Sequence, residues 1–227
     1  MIDKLLGIVS PHICKGCKEK GNTLCDSCIF NIIDDSYQKC IACGGLAKTG
    51  NLCQKCHSKM PFDRAFVVGE RRDELKRLVG DFKYNSERAG AISVAKLLDG
   101  VLPALPHGTV IVPIPTIAPH IRQRGFGHME LVARKLARIR KMSYDSRLLI
   151  RIDNSVQHGL TLREREKRAA KTFGVNRHRS APSEVLLIDD IYTSGHTMIA
   201  ATKLLKKAGV KTVNVAIVAK QVGKDKR

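Results

Sequence analysis

The stretch VLLIDDIYTSGHT, residues 185–197, decides the fold. Its first four residues are all apolar, which is typical of a central parallel strand that is covered on both faces. Two acids, Asp189 and Asp190, follow this predicted strand, and a short polar loop then leads to a predicted helix. In open α/β sheets the ligand lies beyond the carboxyl ends of the strands. The stretch therefore predicts a ligand site built around the two acids.

The segments around this stretch alternate between strand and helix patterns. Downstream, residues 197–208 carry apolar side chains at helical spacing, and residues 213–219 form the next apolar strand. Strand, helix and strand within about thirty-five residues make a βαβ unit. Upstream, strands are predicted at 62–68, 109–112 and 148–152, and helices at 73–84, 89–105, 129–141 and 162–170. The alternation predicts an α/β domain with a mainly parallel sheet flanked by helices.

The loop after the acids has the composition of a phosphate cradle. Backbone N–H groups at a helix N-terminus are unpaired and the helix dipole is positive there, so an anion is favoured. Thr193, Ser194 and Thr197 add hydroxyl donors, and Gly195 lets the backbone come close to a ligand. The acids before the loop suit the hydroxyls of an attached sugar, or a magnesium ion. The alternative is an ordinary capped helix with two solvated acids beside it.

The cysteines predict metal sites. All eight precede residue 57, in four Cys-x-x-Cys pairs: Cys14/Cys17, Cys25/Cys28, Cys40/Cys43 and Cys53/Cys56. Two thiolates separated by two residues can face one ion, and a second such pair completes a tetrahedral zinc site. Four pairs in succession predict two structural Zn²⁺ sites rather than a redox pair or disulfides. The spacing permits either a sequential or an interleaved grouping, and His57 is a neighbour because eight thiolates already fill two sites.

The chain is strongly basic, since Lys+Arg 40 against Asp+Glu 21 gives a net charge of +19. Two zinc sites with four thiolates each would reduce this to roughly +15. Such a field favours polyanionic partners or substrates with several phosphates, and a basic solvated surface is the alternative. No apolar run reaches the length of a membrane helix, about 18 residues. The first residues lack a cleavage-site pattern, so we expect a cytoplasmic protein without membrane insertion.

The opening stretch resembles the phosphoribosyl-pyrophosphate (PRPP) signature of type I phosphoribosyltransferases. That signature has four apolar residues, two acids, two further residues and then Thr-x-Gly-x-Thr. The resemblance implies that Asp189 and Asp190 are the catalytic acids and bind the 2- and 3-hydroxyls of the ribose. It implies that PRPP binds with Mg²⁺. The residues that would hold the 5-phosphate are Thr193, Ser194, Gly195, His196 and Thr197.

Further stretches resemble the ComF family. The four Cys-x-x-Cys pairs are similar to its double zinc ribbon. Residues 112–137, VPIPTIAPHIRQRGFGHMELVARKLA, are similar to its Pro-x-Pro turn, basic residues and Arg-Gly-Phe-Asn-Gln. Residues 155–175 resemble its flexible-loop segment, and FKY at 82–84 fits the end of one of its helices. The resemblance therefore extends over nearly the whole chain.

The ComF resemblance also implies a domain organisation. Residues 1–60 would form a double zinc ribbon with two Cys₄ sites, and residues 61–227 a phosphoribosyltransferase domain. The fold class is thus α/β, a type I phosphoribosyltransferase-like parallel sheet flanked by helices, with a small N-terminal zinc-ribbon segment. The sequence departs from the family pattern at Gly127 and His128, where Asn and Gln are usual, and at Ala169–Ala170, where an Asn is expected.

Pyrophosphate, the leaving group in the implied reaction, requires a highly charged binding site. Its charge is met by Mg²⁺ and by cations of the protein. The candidates that the resemblance supplies are a turn, nearby cations and a flexible loop: Pro113, Ile114, Pro115, Arg122, Arg124, Lys83, Arg163, Arg165 and Arg168. A solvated, charged helix is the alternative for the last three.

Three functions are compatible with these patterns. The first is a Mg-dependent phosphoribosyltransferase, in which positioning and charge stabilisation carry the rate because the motif offers no obvious general base. The second, implied by the ComF resemblance, is a competence accessory protein that binds single-stranded DNA or DNA-uptake proteins. The chain has no Trp and 4% aromatics, so DNA binding would be mainly electrostatic. The third is a regulator that senses PRPP without turning it over.

Overall fold

The computed structural model describes residues 12–47, 50–84, 88–152 and 172–222, apart from the side chains of Lys83, Tyr84 and Arg124. The N-terminal part of the chain contains short strands and helices: β1 (His12–Ile13), β2 (Lys20–Gly21), α1 (Asp26–Asp34) and α2 (Gln54–His57). β1 and β2 pair antiparallel. None of these elements is long enough to bury a core alone, so this part depends on what it packs against.

A parallel sheet forms the centre of the rest of the chain. The strands that follow the N-terminal part are β3 (Arg64–Glu70), β4 (Val110–Pro113), β5 (Ser143–Tyr144), β6 (Leu149–Arg151), β7 (Phe173–Val175), β8 (Glu184–Tyr192) and β9 (Thr212–Lys220). Five of them form one sheet in the order β3-β9-β8-β4-β5, with every neighbouring pair parallel. β6 and β7 form a separate antiparallel pair. The strand that carries the two acids is therefore the central one.

Helices cover both faces of this sheet. The helices of this part of the chain are α3 (Asp73–Tyr84), α4 (Gly90–Val101), α5 (Ala118–Arg124), α6 (His128–Arg140) and α7 (His196–Lys207). α3, α4 and α6 pack on one face of the sheet and α7 on the other. Alternate residues of β8 enter two different cores, because successive side chains of a strand point to opposite faces. Leu186 and Ile188 pack with α4 and α6, whereas Val185 and Leu187 pack with α7. All four side chains are fully buried, as the apolar run predicts.

The N-terminal part of the chain covers the edge strand β3. The backbone N–H of Tyr37 donates to the carbonyl oxygen of Val68 at 3.1 Å, and that of Asn51 donates to the carbonyl oxygen of Ala65 at 2.7 Å. The Asn51 side-chain Oδ1 accepts the N–H of Val67 at 2.6 Å. An uncovered edge strand exposes unpaired backbone groups and invites aggregation. This segment therefore shares hydrogen bonds as well as hydrophobic contacts with the sheet.

The predicted strands and helices that the structure describes are largely confirmed, whereas β1, β2, β5, β7, α1 and α2 were not predicted. β8 continues through residue 192, so Asp189 and Asp190 lie within the strand rather than after it. The predicted strand at 148–152 lies outside the main sheet, paired with β7. Helix α5 was not predicted, because Pro119 and its polar residues hide the helical period. The predicted helix at 162–170 lies outside the described residues, and no described helix is long and apolar enough to cross a membrane.

Candidate functional site

Asp189 and Asp190 lie near the carboxyl edge of the sheet, on opposite faces of the central strand. Asp190 is on the α6 face and is buried, with 4% exposure, whereas Asp189 is half-buried. The Oδ1 of Asp189 accepts the backbone N–H of Asp190 at 2.9 Å. A buried carboxylate is stable only with hydrogen-bond partners, since desolvation of the charge costs several kcal/mol. Asp190 therefore requires a partner within the protein.

His128 is such a partner. It is the first residue of α6, and its Nε2 lies 2.7 Å from Oδ2 of Asp190. Its other ring nitrogen, Nδ1, lies 3.1 Å from the hydroxyl oxygen of Thr116, and the ring of Phe82 meets it edge-on. The sequence drew attention to His128 only as a departure from the ComF pattern. Its contact with Asp190 spans 62 positions, and no local pattern could have indicated it.

The loop after β8 has the geometry of an open cradle at a helix N-terminus. Gly195 is the N-cap of α7 and adopts φ 81° and ψ −5°, the left-handed conformation that favours glycine. Thr193 and Ser194 are exposed, and the hydroxyl of Ser194 lies 2.9 Å from Nδ1 of His196. The first backbone N–H groups of a helix have no partner within it. Exposed hydroxyls and such N–H groups are the donors that a phosphate requires.

Gly195→Ala is expected to lower the free energy of unfolding by about 2–5 kcal/mol, since left-handed strain costs about 1–2 and forced overlap about 1–3. The added Cβ would overlap Oη and Cζ of Tyr192. Gly108→Ala is the matched control, because Gly108 has φ 86° but no heavy atom within 4 Å of its added Cβ. Urea denaturation of both variants measures the difference. Equal losses at the two positions would show that Tyr192 does not restrict residue 195.

Lys220 lies beside this loop and was not predicted from the sequence. Its Nζ donates to the carbonyl oxygen of Thr193 at 3.0 Å and sits 4.7 Å from the centre of the Tyr192 ring. Burial lowers the pKa of Lys220 below its ordinary value. Burial also raises the pKa of Tyr192 to about 12, so that its hydroxyl stays protonated at neutral pH. Lys220 thus joins the end of β9 to the start of the loop and adds a cation there.

The turn after β4 lies next to the acids because β4 and β8 are neighbours. The backbone N–H of Ile114 donates to the carbonyl oxygen of Ile188 at 2.9 Å, which fixes the turn Pro113–Ile114–Pro115 against the central strand. Arg122 follows on α5 and is exposed. Of the other predicted cations, Lys83 and Arg124 have side chains outside the described part, and Arg163, Arg165 and Arg168 lie outside the described residues altogether.

The cysteines form two clusters, and the grouping is sequential. One cluster contains Cys14, Cys17, Cys25 and Cys28, and the other contains Cys40, Cys43, Cys53 and Cys56. The sulfur atoms within each cluster lie within 4.8 Å of one another. The Sγ–Sγ distance is 3.7 Å both for Cys17–Cys25 and for Cys43–Cys53. This is close to the edge of a tetrahedron with zinc–sulfur bonds of about 2.3 Å, roughly 3.8 Å, and far longer than a disulfide. Both clusters can therefore bind zinc.

The electrostatics of both clusters also suit a cation. Burial raises the pKa of Cys14, but backbone N–H groups, first that of Cys25, outweigh it and bring the pKa to about 6. Cys40 is similar: burial raises its pKa, and N–H groups led by that of Cys53 lower it to about 6. Burial and the neighbouring sulfurs raise the pKa of Cys28 and Cys56 to about 12. Four thiolates can coexist in one cluster only when a cation offsets their charge.

The central parallel sheet, its flanking helices and the acid-and-cradle stretch define a phosphoribosyltransferase-type domain. A family model described as "Phosphoribosyl transferase domain" matches residues 121–227. With two Cys₄ clusters in the N-terminal part, the predicted fold class is confirmed. Among solved structures, one described as "Structure of the allosteric regulatory enzyme of purine biosynthesis" has a TM-score of 0.42 and 17% identity, over 61% of this chain and 30% of that chain.

The chain belongs to the ComF family, as the cysteine pairs and the stretch 112–137 predicted. It is 28% identical over 207 residues to Competence protein F of Haemophilus influenzae, covering 86% of this chain and 89% of that protein. It is 30% identical over 193 residues to DNA utilization protein YhgH of Escherichia coli K12, covering 78% and 81%. The Salmonella typhi protein of the same name is 29% identical over 185 residues, with the same coverage.

Proposed function

We propose that this protein binds Mg-PRPP at the carboxyl edge of its sheet and acts as a phosphoribosyltransferase. One observation carries the proposal: three groups meet at the carboxyl ends of two neighbouring strands. The acids lie on β8, the glycine-capped helix N-terminus follows β8, and the turn follows β4. A sugar that carries a phosphate at one end and a pyrophosphate at the other requires these three kinds of group. A ligand with a single phosphate would occupy the loop after β8 and leave the turn after β4 with no group to bind.

Each part of the site has a role in this proposal. Asp189 and Asp190 accept hydrogen bonds from the 2- and 3-hydroxyls of the ribose. The N–H groups and hydroxyls of residues 193–197 hold the 5-phosphate, and Lys220 adds positive charge from beneath the loop. The backbone of residues 113–115, with Arg122 beyond it, faces the pyrophosphate. Mg²⁺ would arrive with PRPP, held by the substrate's own oxygens, and would neutralise the leaving group.

Positioning and charge stabilisation supply the rate in this mechanism. As the bond between the sugar and pyrophosphate breaks, positive charge develops on the ribose ring and negative charge on the leaving group. Carboxylates near the ring and cations near the pyrophosphate stabilise this separation. Holding the ribose by its two hydroxyls and by its 5-phosphate fixes the reacting carbon relative to an incoming nitrogen nucleophile.

A screen for pyrophosphate release tests the enzymatic part of the proposal. The zinc-loaded full chain is incubated with Mg-PRPP and a panel of nucleobases and small amines, and pyrophosphate is measured. We expect release that depends on PRPP, on Mg²⁺ and on one class of acceptor, and that is lost in Asp189→Asn. The Asp34→Asn variant, on the exposed end of α1, is the matched control. Binding of PRPP without release from any acceptor would contradict turnover and favour a PRPP sensor.

Binding of single-stranded DNA is a second candidate function, favoured by the charge of α6. The α6 face carries exposed Arg134 and Arg138 with half-buried Lys135 on the helix itself, at spacings that place them along one side, and exposed Lys141 at its C-cap. The relatives are named for competence and for DNA utilization. Cations in a row neutralise successive phosphates of a nucleic-acid backbone and release counterions. We propose that α6 contacts DNA in this way.

Replacing three of these cations should weaken DNA binding and flatten its salt dependence. The variant Arg134→Ala/Arg138→Ala/Lys141→Ala removes three charges from the α6 face. The variant Lys203→Ala/Lys207→Ala/Lys211→Ala removes three exposed charges near α7 and is the matched control. We expect the slope of log K against log salt to fall by about 2 for the first, at about 0.7 per phosphate contact, and less for the control. Equal effects of the two variants would indicate binding to overall charge rather than to α6.

We also propose that both cysteine clusters hold structural zinc and that residues 1–60 form a double zinc ribbon joined to a phosphoribosyltransferase domain at 61–227. The tetrahedral sulfur spacing supports the zinc. The ribbon would then stabilise the sheet edge rather than take part in chemistry. We further propose that the protein acts in the cytoplasm.

A further inference from the structure

We propose that His128 is a positioning residue that fixes Asp190 and the turn after β4 in one arrangement for binding PRPP. The inference rests on the proposed function and assigns a role to a residue that departs from the usual family pattern. Three parts of the chain meet at His128: the start of α6, the acid pair on β8 and the residue that follows the Pro-x-Pro turn.

The first step is the pairing of His128 with Asp190. Their side chains are 8% and 6% exposed, and Nε2 lies 2.7 Å from Oδ2. A carboxylate only accepts hydrogen bonds, so the ring nitrogen is the donor. Hydrogen bonds to a charged acceptor in a buried site are short and strong. His128 therefore fixes the position of Oδ2 of Asp190. Because both oxygens belong to one rigid carboxylate group, the orientation of Oδ1 is fixed as well.

The second step is the contact with Thr116. Its hydroxyl lies 3.1 Å from Nδ1 of His128 and can donate or accept a hydrogen bond. It therefore satisfies Nδ1 in either protonation state of the ring. Thr116 directly follows the turn whose Ile114 N–H bonds to the central strand. Through one ring, the group proposed to face pyrophosphate is tied to the acid proposed to face the ribose.

The third step is the packing that holds the ring itself. His128 begins α6, and its ring meets that of Phe82 edge-on at 5.8 Å between centroids. Met129 and Val132, on the same helix, are fully buried in the core beneath. The ring is thus attached to a rigid element, which is the condition for a side chain to position another with little reorganisation.

The test compares variants that keep or lose the donor to Asp190. His128→Gln retains an amide N–H at nearly the reach of Nε2, His128→Asn has the same chemistry on a shorter side chain, and His128→Leu has no donor. His107→Leu, on an exposed loop before β4, is the matched control. The dissociation constant of Mg-PRPP is measured by calorimetry on each full-length, zinc-loaded protein, with the Tm of the ligand-free protein as a record of folding.

We expect His128→Gln and His107→Leu to bind within a few-fold of wild type, and His128→Asn and His128→Leu to bind at least about tenfold more weakly, the loss typical of a hydrogen bond to a charged group. Thr116→Val should weaken binding to an intermediate extent. A rescue by Gln but not by Asn is a result that a purely structural role would not give. Wild-type affinity in both His128→Leu and His128→Asn would overturn the inference while leaving the proposed function in place. Absence of binding in the wild type would overturn both.

Discussion

Removal of zinc from the full chain is expected to lower its Tm by at least about 10 °C and to promote aggregation. Structural zinc sites in small domains contribute about 10–16 kcal/mol of apparent binding free energy, and losing even about 5 kcal/mol shifts the Tm of a chain this size by roughly 10–20 °C. The elements around the clusters are too short to persist alone. The experiment is a thermal unfolding scan with and without a strong chelator, with zinc quantified in parallel.

The loss of stability after zinc removal extends beyond the metal sites, because the cluster that begins at Cys40 packs against the edge of the sheet. Cys40 and Cys56 are buried in the same core as Val67 and Val215 of the sheet. Asn51, between the two cysteine pairs of that cluster, bonds to the backbone of β3. Unfolding of this segment would expose the backbone groups of an edge strand. Aggregation after chelation is the expected consequence.

Point variants separate the metal ligands from their neighbours. Cys40→Ser/Cys43→Ser should lower the zinc content from about two per chain to about one. His57→Ser should leave it unchanged, because the clusters are complete without His57. A fully metal-free protein with an unchanged Tm would refute the structural role of zinc.

The double variant Asp189→Asn/Asp190→Asn is expected to lose most of the stabilisation by Mg-PRPP. At a PRPP concentration one hundred times Kd, a wild-type protein gains about 2.7 kcal/mol, or roughly 5–11 °C in Tm. Each amide replaces a charged acceptor, and the loss of about 1.5–3 kcal/mol per hydrogen bond weakens binding by 100-fold or more. The remaining stabilisation would be about 0.4 kcal/mol or less, a Tm shift of roughly 1–2 °C at most.

The chain itself provides a matched control for this variant. Asp34 and Asp35, at the end of α1, form the chain's other Asp–Asp pair and are exposed. Asp34→Asn/Asp35→Asn changes the net charge equally and should keep the full Tm shift. Zinc content should be the same in all three proteins. A wild-type shift in the Asp189/Asp190 variant would remove these acids from the site.

The sequence could predict the elements that local patterns encode. The apolar run 185–188, the helix after it and the strand 213–219 form one continuous βαβ unit, so a single stretch of chain contains the evidence for it. The spacing of the eight cysteines likewise predicts metal binding. The sequence could not select the sequential grouping of the pairs, because that depends on how the segment folds back on itself.

Local sequence patterns could not predict the contacts between distant segments of the chain. His128 meets Asp190 only because α6 packs against the face of β8 that carries the even-numbered residues. Lys220 reaches the loop after β8 because β9 is the parallel neighbour of that strand. The cover over β3 depends on the strand order, which places β3 at an edge. Each of these follows from topology rather than from local composition.

PRPP binding is tested most simply by a calorimetric titration of Mg-PRPP into the zinc-loaded wild-type chain. We expect saturable binding at one site per chain that requires Mg²⁺. Ribose 5-phosphate, which keeps the sugar and the 5-phosphate but lacks pyrophosphate, should compete more weakly. No binding at millimolar Mg-PRPP, by a chain that holds its zinc and unfolds cooperatively, would contradict the proposal that the carboxyl edge of the sheet is a PRPP site.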